Sequence, residues 1–117
     1  MSALAKACAN GAMENVTCLD LVGNKFGDTG LSALASACAD GAMAHLVHLH
    51  LRYNKITDEG FSTLMPLLKK DGKLSGLERF DIGSYITDKA MKEFADILAM
   101  GALPKLQELG LRDNDYT

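Results

Sequence analysis

One phrase occurs four times in this chain: VTCLDLVGNKF at 16–26, LVHLHLRYNKI at 46–56, LERFDIGSYI at 77–86 and LQELGLRDNDY at 106–116. Its leading apolar residues, Leu19, Leu49, Phe80 and Leu109, follow one another at 30, 31 and 29 residues. A unit of that length cannot bury its own apolar face. It must stack on its neighbours, and the expected product is a solenoid with no single closed core. Such a fold offers a repeated surface rather than a deep pocket.

Within each phrase apolar and polar residues alternate, as in Leu49-His50-Leu51, which predicts a short strand with one buried face. Between phrases lie apolar residues at helical spacing. They are Leu31, Leu34, Ala35 and Cys38, then Phe61, Leu64, Met65 and Leu68, then Met91, Phe94, Ala95 and Leu98. Met1, Leu4, Ala5 and Cys8 keep the same register, so the chain opens in a helix of this kind. Strand followed by helix, repeated, predicts parallel strands joined by helical crossovers. Asp28, Asp58 and Asp88 fall in the first helical turns, where a carboxylate suits the free amides and the helix dipole. Gly11, Gly41, Gly72 and Gly101 follow the helices, as expected of residues that end a helix at positive φ. The second helix holds Pro66 and the one added residue of its repeat, which predicts a kink or bulge there.

These residues resemble the leucine-rich repeat family in the form LxxLxLxxNxI. The long unit with a full helix is similar to the ribonuclease-inhibitor-like subclass, and the likeness covers essentially the whole chain. The resemblance implies an α/β open horseshoe, strands on the concave side and helices on the convex side. It also implies an asparagine ladder that bonds the backbone of adjacent repeats. Asn24, Asn54 and Asn114 match that position. The third copy is one residue short there, with Ser84 or Tyr85 near the place, and a local defect in the ladder is expected.

The chain has 117 residues and is expected to form one domain, 1–117. A net charge of −3 and no basic run beyond Lys69-Lys70 argue against nucleic acid as a partner. No apolar stretch approaches the roughly 18 residues of a membrane helix, and residues 1–13 do not read as a secretory signal. The last phrase stops before its helix and neither end carries a polar cap. An interior segment of a longer repeat protein is therefore expected. Cys8 and Cys38 occupy positions filled by Leu68 and Leu98 in later copies, so both read as small buried hydrophobes. Cys18 points outward as a free thiol. This usage fits a soluble, intracellular protein in a reducing compartment.

The residues between the leucines form columns across the strands. One is Cys18, His48, Arg79, Glu108. The next is Asp20, His50, Asp81, Gly110, and the third is Val22, Arg52, Gly83, Arg112. The row Asp20–His50–Asp81 has the residue types of a metal site or an acid/base pair. Its three members would lie in a straight line over roughly 10 Å, a poor match to a tetrahedral ion. No metal, cofactor or catalytic role is therefore expected, and no small-molecule substrate. Mixed charge on this face suits another protein instead. His48, His50, Arg52, Tyr53, Arg79, Asp81, Glu108 and Arg112 are the expected contact residues, Arg and Tyr being frequent interface anchors.

The resemblance thus implies a non-catalytic module for protein–protein interaction or scaffolding. Two alternatives stand beside it. One is a structural subunit docked by its ends or helices onto a larger assembly, which could be membrane-associated. The other is a regulator resembling leucine-rich repeat activators of small GTPases. Four strands offer on the order of 200 Å² on the concave face, against about 800 Å² per partner in a standard interface. Loops, helices or further repeats would have to contribute.

Overall fold

The computed structural model describes residues 15–110, apart from Val22, Asn24, Lys25, Phe26, Ala42, Tyr53, Gly83 and Ser84. The expected first helix, with Met1, Leu4, Ala5 and Cys8, lies outside the described residues, as do Gly11, Asn24, Tyr53, Arg112 and Asn114. The elements run β1 (Cys18–Asp20), α1 (Gly27–Ala39), β2 (His48–His50), α2 (Asp58–Leu68), β3 (Arg79–Asp81), α3 (Asp88–Ala99) and β4 (Glu108–Gly110). The strands form one parallel sheet in chain order, β1-β2-β3-β4. Strand and helix alternate as the period-two phrase and the helical spacing require.

Strand register follows the repeat. Leu19 pairs with Leu49, Leu49 with Phe80, and Phe80 with Leu109. The backbone bonds recur from seam to seam. The Thr17 carbonyl accepts from the Val47 and His48 amides at 2.8 and 3.0 Å, and the Val47 carbonyl from Glu78 and Arg79 at 2.8 and 3.1 Å. The Glu78 carbonyl accepts from Gln107 and Glu108 at 2.7 and 3.0 Å. Beyond the strands, the Leu21, Leu51 and Ile82 amides donate to His50, Asp81 and Gly110. One-residue slippage would turn every leucine to the wrong face, so this lattice and the apolar pattern enforce the same alignment.

The core lies between sheet and helices. Leu19, Leu49, Leu51, Phe80 and Ile82 meet Leu31, Leu34, Phe61, Leu64 and Phe94, all buried. Where the third repeat substitutes Phe for Leu, three rings gather. Phe61, Phe80 and Phe94 have centroids 5.3–6.3 Å apart, the spacing of edge-to-face and tilted aromatic pairs. In α3 the apolar face is only partly covered. Phe94 is buried, Met91 and Leu98 are half-buried and Ala95 is exposed. The corresponding residues of α1 and α2 are buried. A helix follows each of those two, and among the described residues none follows α3.

Three local outcomes depart from the sequence reading. First, α2 continues through Pro66 and ends at Leu68, and Lys69 leaves in an extended conformation. The added residue is taken up in the turn after the helix, not inside it. Proline removes an amide and crowds the preceding turn, so the helix stops soon after it. Second, Gly41 and Gly101 have φ of 85° and 97°, as expected, but Gly72 does not take positive φ. It is needed for closeness: a Cβ there would lie 2.2 Å from the Leu67 carbonyl oxygen. That carbonyl is occupied by the Leu74 amide at 2.9 Å. Third, the first-turn aspartates reach across repeats. Asp28 Oδ1 accepts the Thr57 amide at 2.8 Å and Asp58 Oδ1 accepts the Thr87 amide at 2.8 Å. The hydroxyls of Thr57 and Thr87 donate to the other oxygen of the same carboxylates. Thr57 and Thr87 are the N-caps of α2 and α3, yet their side chains make no cap bond to their own helices. The starts of α2 and α3 are thus each held by the repeat before them.

Asn54 is fully buried. Its Nδ2 donates to the Leu21 carbonyl of the preceding repeat at 2.7 Å and to Leu51 of its own at 3.0 Å. Its Oδ1 has no partner among the described residues. In the third copy Tyr85 is exposed and its amide donates to Ile56 at 2.9 Å. Lys55 is exposed likewise. Tyr85, one residue before the buried Ile86 as Lys55 is one before the buried Ile56, therefore stands where Lys55 stands; Ser84 lies outside the described residues.

Candidate functional site

The sheet face turned from the helices is built by the polar members of the phrase. The pairing aligns Cys18, His48, Arg79 and Glu108 in one column and Asp20, His50, Asp81 and Gly110 in the next. The two columns occupy alternate positions of each strand, so both project to the side opposite the leucines.

Arg52 does not stand free on this face. Its guanidinium meets the Asp81 carboxylate at 2.5 Å, with side-chain exposures of only 22% and 12%. The pair runs diagonally, from Arg52, two residues beyond the end of β2, to the last residue of β3. A charge-assisted bond this sheltered holds both groups in place. Arg79 and Glu108 form a looser pair at 3.5 Å, with exposures of 53% and 71%. That contact is worth at most about 1 kcal/mol and opens readily to another ion. Of the expected contact residues, Arg79 and Glu108 are therefore the most accessible charges, while Arg52 and Asp81 form a fixed centre. Tyr53 and Arg112 lie outside the described residues.

Gly110 shapes the surface between them. A Cβ there would lie 2.8–3.1 Å from the Asp81 carboxyl atoms, so a side chain would press on the Arg52–Asp81 pair. With none, a shallow depression of about 180 Å³ opens between His50, Arg52, Arg79, Asp81, Glu108 and Gly110.

His50 borders this depression on one side and meets His48 on the other. The rings of His48 and His50 stand edge to face, 6.3 Å between centroids. One ligand atom each from Cys18, His48 and His50 lies within 4.8 Å of the others. The sequence columns do not contain this triangle, because it joins two residues of one strand to one of the next. The row Asp20–His50–Asp81 does not form such a group, and Asp81 is committed to Arg52. Neither the exposed Cys18 nor the buried Cys38 is in a disulfide. No helix among the described residues is long and apolar enough to cross a membrane.

Residues 12–35 and 42–65 each match the family model described as Leucine Rich repeat. No curated protein matches the chain. With four parallel strands in one sheet alternating with helices, and two of its copies matched by that family model, the fold is that of a leucine-rich repeat solenoid.

Proposed function

We propose that this chain is a non-catalytic recognition module of the ribonuclease-inhibitor-like kind, which binds another protein through its open sheet face. The observation that carries this is the depression around the Arg52–Asp81 pair, rimmed by the exposed charges of Arg79 and Glu108. A sheltered, paired centre within an openable polar rim favours a partner surface that presents both signs of charge, and rim charges set which partner is accepted. The module has the repeat fold in which proteins of this type generally bind others.

Affinity capture with the purified chain supplies binders, and Arg79→Glu together with Glu108→Lys reverses the rim without touching the central pair. Binders that use this face should weaken at least tenfold. If every direct binder keeps its affinity for the reversed variant, the sheet-face reading fails.

A second reading rests on Met100, which is 80% exposed at the end of α3. It borders a depression of about 390 Å³ with Pro66, Lys69, Lys70, Ile97 and Ala102. An exposed methionine beside two lysines favours docking by the helix ends onto a larger assembly. Binders lost on Met100→Glu and kept on rim reversal would follow this second mode.

A further inference from the structure

We propose that Cys18, His48 and His50 form a three-ligand site for Zn²⁺ that joins the first two strands, with the fourth tetrahedral position open to water. Three features of the chain converge on it. His48 and His50 are two apart on β2 and so project to one face, while Cys18 is the register partner of His48 on β1. Their ligand atoms already lie within 4.8 Å of one another. Around a tetrahedral zinc ion, with bonds of about 2.0–2.3 Å, ligand atoms stand roughly 3.4–3.6 Å apart. The remaining ångström or so is within reach of side-chain rotation, because Cys18 is exposed and both histidines are only half-buried.

The donor set decides the ion. One thiolate and two imidazoles suit Zn²⁺ and disfavour Mg²⁺ or Ca²⁺, which take oxygen ligands. On binding, the Cys18 thiol gives its proton to solvent and its sulfur bonds the metal. The geometry also explains why a triangle succeeds where the straight Asp20–His50–Asp81 row does not. A single ion can touch two residues of one strand and one of its neighbour, but cannot bridge three strands in line. The bound ion would tie β1 to β2 through side chains, on the face that carries no leucines. This inference does not depend on the protein-binding reading: of its three ligands only His50 also borders the Arg52–Asp81 depression, and Cys18 and His48 lie outside it.

The test uses the whole chain under reducing conditions. Titration with Zn²⁺ alone, by calorimetry and by competition with a chromophoric chelator, should show one saturable equivalent. Co²⁺ in its place should give a thiolate-to-cobalt charge-transfer band and tetrahedral d–d bands. Cys18→Ser should abolish the charge-transfer band. His48→Gln and His50→Gln should each weaken Zn²⁺ by at least roughly 10- to 100-fold, the loss typical even of indirect ligand supports. His45→Gln should change nothing. Zn²⁺ should also slow alkylation of Cys18, read by peptide mass spectrometry, which needs no variant to fold. Affinity weaker than about 1 mM, Zn²⁺ binding unmoved by the Cys18 and His50 substitutions, or Cys18 alkylation unmoved by the metal would overturn the site.

Discussion

At the β1–β2 and β2–β3 seams the same three strand positions pair in the same order, and the residue before each strand accepts the same forked bonds. The helices behind these seams are not so regular. α1 and α2 pack closely, whereas α2 and α3 meet over fewer residues. The two layers share one chain and one repeat length, so the difference lies in what each can absorb. A strand held on both sides by a neighbour about 4.8 Å away has no room for an added residue. A helix can stop early and leave the surplus to its turn, as α2 does after Pro66. Irregularity collects where register is not enforced.

The largest expected effect is at the residue that belongs to both layers. Phe80 is a strand residue whose ring touches those of Phe61 and Phe94. Phe80→Ala should cost about 3–5 kcal/mol of unfolding free energy in denaturant titration. Leu49→Ala, the same position one repeat earlier, should cost no more than that. If Leu49→Ala proves clearly the worse, the aromatic group is not what joins the looser α2–α3 seam.

Asn54→Ala comes next, at about 2–3 kcal/mol, since it strips a donor from the half-buried Leu21 and the buried Leu51 carbonyls. Its effect belongs to the β1–β2 seam. Hydrogen exchange should rise there and not at β3–β4. Uniform loosening of all four strands would mean that the sheet responds as one body.

Asp58→Ala should cost about 1–2 kcal/mol, in the range of a lost helix cap. Its signature is position: the amide of Thr87, not those of its own first turn, should exchange faster. Asp28→Ala should do the same to Thr57. The smallest shift is opposite in sign. Pro66→Ala restores a donor at an exposed position in α2 and should raise stability by about 1 kcal/mol. No gain would show that the turn, rather than the proline, sets where α2 ends.

The strands, their order and the two polar columns were legible in the sequence, because period two and a fixed repeat leave one solution. So was the burial of Cys38, from its exchange with leucine in later copies. What escaped has a common form: contacts that run diagonally or reach from one repeat into the next. Arg52 and Asp81 sit in different columns, and Cys18 joins His48 and His50 across a strand. Asp28 and Asp58 already had a local explanation at a helix start, which concealed their reach into the next repeat. The repeated Thr-Asp pair at 57–58 and 87–88 was the signal for it. Gly72 was read by its type, when what it needs is space beside the Leu67 carbonyl.

The aspartate–threonine contact gives the stack a direction. In each contact the earlier repeat supplies a carboxylate and the later one supplies an amide and a hydroxyl. Peeling away the later repeat leaves a carboxylate in water, where it is well solvated. Peeling away the earlier one strips the opening amide of a helix of its acceptor. Fraying should therefore start more easily from the β4 side than from the β1 side, so the solenoid unzips like a fastener with a preferred end.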